Sequence, residues 1–146
     1  MRFMIQVRAT PSSERGDPPG PELLPLFEEM GAFHEEMARA GVLLDGAGLR
    51  PSRQGWRQRY ALDGSREVVD GPFAESKELI AGYTLIQVRS VEEARAWASR
   101  FPNPFPGQVC EVEVRQLYEE ADFAPGGDMA LPSVGAGSES GSGSAA

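Results

Sequence analysis

The segment GYTLIQVR, Gly82 to Arg89, is apolar on both of its alternations, with Thr84, Ile86 and Val88 on one side of an extended chain and Tyr83 and Leu85 on the other. A strand of this kind belongs in the middle of a sheet with cover on both faces. Its neighbours must come from elsewhere in the chain. RFMIQVR near the N-terminus supplies one, with Phe3, Ile5 and Val7 on a common face. Val42 to Pro51 reads as another short strand, in which Gly46 and Gly48 suggest a bulge or a close backbone approach. WRQRYAL and REVVDG flank Asp63-Gly64, a two-residue hairpin signal, so the second, third and fourth strands are expected to form a meander. VCEVEVRQLYE is the last strand, with Cys110, Val112 and Val114 inward.

Two helices separate these strands. Leu23, Leu26, Phe27, Met30, Phe33 and Met37 recur at spacings of three and four. Pro25 belongs in the first turn of that helix and Gly41 stops it. Ser90 followed by Glu93 is a capping box that starts the second helix, which ends at the prolines of FPNPFPG. Pro11 to Pro21, PSSERGDPPGP, reads as a loop. The order β, α, several β, α, β predicts an α+β fold of ferredoxin-like plan, an antiparallel sheet with two helices on one face. The other sheet face carries Tyr83 and Leu85, with Met4 beside them, and a face-to-face homodimer would cover it.

Of 146 residues, 40% are hydrophobic and 25% charged, enough for one domain with its own core. The folded unit is expected over residues 1–122. Residues 123–146, almost wholly Gly, Ser, Ala and Pro, are expected to form a disordered tail. A net charge of -8 disfavours nucleic acid as a partner. No run is long enough to span a membrane and the N-terminus lacks a secretory apolar stretch, so the expected location is the cytoplasm. One cysteine excludes an intramolecular disulfide and every metal motif with paired Cys ligands. With no GxGxxG, GxSxG, HExxH or phosphate-loop pattern, neither a cofactor nor a metal is expected.

DGPFAESKELIAGYTLIQV, Asp70 to Val88, together with MRFMIQVRA, EEMARAGVLLDGAGLRPS and SVEEARAWASRFPNP, resembles the YCII-related family, and specifically its DGPF-domain branch, over about residues 1–122. The resemblance implies a dimeric α/β-barrel of ferredoxin-like halves. It implies less about activity. Members of the DGPF branch are often encoded near extracytoplasmic-function sigma factors, and some of the wider family resemble small lactone isomerases or dehydrochlorinases that use a His/Asp pair. No motif places His34, the single histidine, on that family histidine.

The residues themselves offer four site candidates. His34, at the edge of the helical apolar stripe, is either a general base or a boundary histidine with one ring nitrogen in water. Asp70 is held by Gly71 and Pro72 at a set angle suited to acid/base work. As the first residue of a turn it is also explained without chemistry by bonding its own backbone two residues on, with Phe73 anchoring the corner to the core. Glu75, Lys77 and Glu78 are either a carboxylate partner for Asp70 or a solvated connector. Arg50, Arg53, Arg57 and Arg59 surround Trp56, so Arg59 and Trp56 are candidates for binding a small anion. Two functions follow. One is a cofactor-independent isomerase, lyase or dehydrohalogenase acting on a small anionic substrate, with Asp70 and His34 catalytic. The other is a non-catalytic ligand-binding or regulatory module in a sigma-factor circuit.

Overall fold

A computed structural model describes residues 1–130. Four strands form the main sheet: β1 (Arg2–Arg8), β2 (Leu43–Gly48), β5 (Ile80–Gln87) and β6 (Val112–Gln116). They lie in the order β2-β5-β1-β6 with every neighbouring pair antiparallel. β5 is central, as its two apolar alternations require. α2 (Leu24–Arg39) and α3 (Val91–Ser99) join the strands and pack on one face. There Phe33, Met37 and Ala94 meet Phe3, Ile5, Ile86 and Val88 in a single core. This α+β arrangement is compatible with the ferredoxin-like plan. No helix of the described residues is long and apolar enough to cross a membrane.

Local signals account for the helix limits. Pro25 sits within the first two positions of α2, where it removes no helical bond. Gly41, just past the helix, takes the left-handed conformation at φ 75°. The Ser90 hydroxyl caps α3 by accepting from Glu93 N at 3.1 Å. Glu93 returns its bond to Arg89 N, one residue earlier than a capping box requires. The face of the main sheet turned away from the helices carries Met4 opposite Leu85 and Gln6 opposite Tyr83, all half-buried.

Three sequence expectations change. First, β3 (Trp56–Tyr60) and β4 (Arg66–Asp70) do not continue a meander from β2; they pair only with each other, as a separate two-stranded sheet. β2 pairs with β5 and stands at the edge of the main sheet, and β3 does not add to its outer side. The hairpin also needs three loop residues rather than two, because Ala61 N pairs with Ser65 O and Gly64 turns left-handed at φ 85°. Second, the Pro11–Pro21 loop opens with a short helix, α1 (Pro11–Arg15). Thr10 and Ser13 cap it reciprocally, a serine doing the work usually read from a glutamate. Third, Cys110 precedes β6, half-buried, with its thiol on Asn103 Oδ1 at 3.0 Å.

Beyond β6, Arg2 clamps Glu119 through two hydrogen bonds of 3.0 and 3.1 Å. Those bonds, reinforced by charge, hold the Glu119 carboxyl below the usual carboxylate range. A depressed carboxyl stabilises the fold above its unfolded pKa, so this tether is released as pH falls through the lowered value. α4 (Glu120–Phe123) follows, and hydrogen-bonded turns continue through Ala130. The remainder of the expected tail, 131–146, lies outside the described residues.

The DGPF corner is fixed from the other side of the molecule. The Glu14 carboxylate of α1 accepts from Ser52 N at 3.1 Å and from Ser52 Oγ at 2.5 Å. Ser52 Oγ in turn accepts from Phe73 N at 3.0 Å, and Gly71 N donates to Gly55 O. Backbone approaches so closely here that a Cβ on Gly71 would stand 1.8 Å from Ser52 O. Gly71→Ala is therefore expected to lower stability by about 1–3 kcal/mol, the range for overpacking. Gly31→Ala, on the open face of α2 with nothing within 4 Å, is expected to raise it by about 0.5–1 kcal/mol. Urea unfolding of the two variants checks both signs.

Candidate functional site

Glycines open a cleft between α2 and the sheet. Gly48 lies directly opposite Gly82, and Gly46 opposite Thr84, all on the helix-facing side of β2 and β5. Of the three, Gly48 alone opens on free space, since a Cβ on Gly82 would meet Ala47 O at 2.9 Å and one on Gly46 the His34 ring at 3.3 Å, and the cleft in front of them has a volume of about 400 Å³. Met30 and His34 of α2 wall it on one side, and Phe101, Pro104 and Phe105, from the chain after α3, on another. Among the described residues its lining contains no Arg, Lys, Asp or Glu.

The polar centre of the cleft is a pair that sequence spacing conceals. His34 Nδ1 lies 2.8 Å from Met30 O, and His34 Nε2 lies 2.9 Å from Thr84 Oγ1. A carbonyl oxygen only accepts, so Nδ1 carries a ring proton, and in the neutral ring the bare Nε2 accepts from the Thr84 hydroxyl. Phe33 and Phe101 meet the imidazole edge-on, both with ring centroids 6.4 Å away, and limit its rotation. Thr84 is buried, at 2% exposure. The pair joins a base to a hydroxyl at the wall of a largely apolar cleft, an arrangement able to take up and return one proton.

The structure does not bring the other candidates to His34. Asp70 ends β4, exposed and opposite Trp56, and is absent from the cleft lining. Nor does it brace its own turn as expected. The residue two positions on is Pro72, which has no N–H, and the flanking amides of Gly71 and Phe73 are taken by Gly55 O and Ser52 Oγ. Phe73 lies under the Arg57 guanidinium, 3.8 Å from its ring centre, and outside the core cluster. Trp56 and Arg59 stand exposed on the hairpin. The arginines expected to gather around an anion are dispersed instead. Arg53 donates to the carbonyls of Glu14 and Arg15, Arg50 to Gln54, and Arg57 stacks on Phe73. Glu75, Lys77 and Glu78 are exposed around a single 3-10 turn. Among the described residues no cluster of His, Cys, Asp and Glu is placed to hold a metal ion.

On the opposite side of the same two strands, the Tyr83 hydroxyl donates to Asp45 Oδ2 at 2.8 Å. That hydrogen bond, with the carboxylate charge behind it, raises the Tyr83 phenol above its ordinary range. A raised acid stabilises the fold below its unfolded pKa and loses that contribution as pH climbs through the folded value. Alkaline absorbance titration of the wild type, compared with Tyr83→Phe, is expected to place this phenol above the other two tyrosines. Asp45→Asn is expected to return it toward the ordinary value.

Comparison with known proteins agrees with the architecture. The family model for the YCII-related domain matches residues 1–118, nearly all of the folded unit. An uncharacterised protein of Rhizobium meliloti (strain 1021) is 34% identical over 101 residues, which is 69% of this chain and 77% of that protein. On a match spanning β1 through β6, this chain belongs to the YCII-related family.

Proposed function

We propose that the His34 cleft is a cofactor-independent proton-transfer site of the isomerase or lyase kind, acting on a small organic molecule. The observation that carries this reading is the fixed direction of the imidazole, whose protonated Nδ1 faces a backbone carbonyl and whose basic Nε2 faces Thr84. A substrate proton passes to Thr84 Oγ1 while the Thr84 proton passes to Nε2. The imidazolium so formed keeps its Nδ1–H on Met30 O and attracts the substrate anion left in the cleft. Return of the proton to a different atom is isomerisation; loss of a halide or other leaving group instead is a lyase step. The lining has no Arg or Lys, so the substrate proposed enters uncharged, unlike the anion that the hairpin arginines suggested. On this reading Asp70, Arg59 and Trp56 have no part in the chemistry.

The test is exchange of solvent deuterium into small hydroxyketones, cyclic and acyclic, followed by NMR. Untagged wild type is expected to catalyse it, and His34→Gln to slow it by about 100-fold or more. Exchange unaffected by His34→Gln would overturn the reading. Ligand binding without any exchange would favour the non-catalytic module. Because His34 is the single histidine, its ring nitrogens are observable without ambiguity in histidine-labelled protein, and the Nδ1–H form is expected.

We read the corner Asp70-Gly71-Pro72-Phe73 as placing the chain in the DGPF branch. We further propose that the sheet face bearing Met4, Tyr83 and Leu85 packs against a second copy, in the manner of a dimeric α/β-barrel, in the cytoplasm. The support is the half-buried apolar Met4–Leu85 pair, on the sheet face turned away from the helices, over which no helix lies among the described residues. Sedimentation equilibrium is expected to give twice the 15.8 kDa chain mass, and Leu85→Glu to halve it. A wild-type monomer would remove the proposal.

A further inference from the structure

We infer that the ligand of this cleft is an uncharged, planar, six-membered-ring compound carrying a hydroxyl group. The inference deepens the proton-transfer reading and rests on it for the orientation of the hydroxyl.

Three observations converge. The first is shape. Gly48 and Gly82 face each other across β2 and β5 without side chains, and the His34 ring stands over Gly46 beside them, 3.3 Å from where its Cβ would be. Two facing residues of bare backbone, about 4.8 Å apart, make a flat wall about as wide as one aromatic ring, with the imidazole at its edge. A Cβ on Gly48 would have only Ala81 O near it, at 4.0 Å, and would project into the space a ring would occupy.

The second is chemistry of the lining. Phe101, Phe105, Pro104 and Met30 present aromatic and polarisable apolar surface, which suits a ring better than a flexible chain. With no charged side chain in the lining, an ionised ligand would lose its hydration without a paired charge in return.

The third is hydrogen-bond polarity. The Thr84 hydroxyl spends its single proton on His34 Nε2, so what it offers the cleft is a lone pair. A ligand must therefore bring a donor. A hydroxyl on the ring does so; a bare carbonyl or an ether oxygen does not.

Four probes of the unmodified protein separate these requirements by ligand-observed NMR: phenol, benzene, cyclohexanol and benzoate. Phenol is expected to bind at least about tenfold more tightly than benzene, which loses the hydrogen bond, and than benzoate, which brings an uncompensated charge, and more tightly than cyclohexanol, whose puckered ring does not lie flat on the backbone wall. Benzene, benzoate or cyclohexanol binding as tightly as phenol would overturn the inference. Gly48→Val, which fills the space beside the backbone wall, is expected to abolish phenol binding while the amide spectrum stays that of the folded protein. If Gly48→Val fails to fold, the ranking of the four probes on wild type still decides. The outcome is separable from the reaction itself. Phenol that binds without moving the His34 ring nitrogens upholds the ring site and sinks the proton-acceptor role. Acyclic hydroxyketones that exchange in a protein with no affinity for phenol would do the reverse.

Discussion

The register between β1 and β5 governs everything else in this molecule. It sets Phe3 against Ile86, Ile5 against Thr84 and Val7 against Gly82, and thereby decides which residues of the central strand look toward α2. In an extended chain a slip of one residue sends every side chain to the opposite face. Here that slip would exchange Thr84 and Ile86 for Tyr83 and Leu85 beneath the helices. Core and cleft would fail together, because Ile86 fills the one and Thr84 forms the other. The buried Ile5 and Ile86, at 0% exposure, make that register energetically steep.

Much of this is legible in the sequence alone. Alternation identified β1 and β5, the three-and-four spacing identified α2, and Ser90 marked the start of α3, because each of these signals is local and physical. What local reasoning could not reach was partnership. The Asp63-Gly64 turn correctly joined β3 to β4, yet nothing in the neighbouring residues says whether β3 also joins β2. The partner β2 does take, β5, lies on the far side of the hairpin in sequence, and the local pattern of β2 and β3 carries no trace of it. The α1 helix was hidden for the opposite reason. Its Pro11, Ser12 and Ser13 read as turn chemistry, and only the reciprocal Thr10–Ser13 bonds reveal that Pro11 stands at a helix start.

The site shows the same division. His34 stood out as the single titratable group on an apolar stripe. Its partner did not, since Thr84 in a β-branched strand reads as ordinary core material, and the two are 50 residues apart. The glycine pair was noticed in β2 as a feature of that strand alone. Only the pairing with β5 shows that Gly48 opens on the cleft while Gly46 lies under the His34 ring and Gly82 against Ala47 backbone. In contrast Asp70 attracted notice for a carboxylate held by a rigid turn, and the geometry leaves that carboxylate at the surface, apart from the cleft.

The Glu14–Ser52–Phe73 linkage gives the β3–β4 hairpin an autonomy the main sheet lacks. Its two strands pair with nothing else, and it meets the body through a handful of hydrogen bonds and the Arg57–Phe73 stack rather than through the core. A segment held in that way opens on its own free-energy scale, below that of global unfolding. It also makes the stretch between β2 and β5 a permissive place for length and sequence to change, because β5 reaches its pairing edge whatever the hairpin does. The central sheet is in this sense insulated from its own longest excursion.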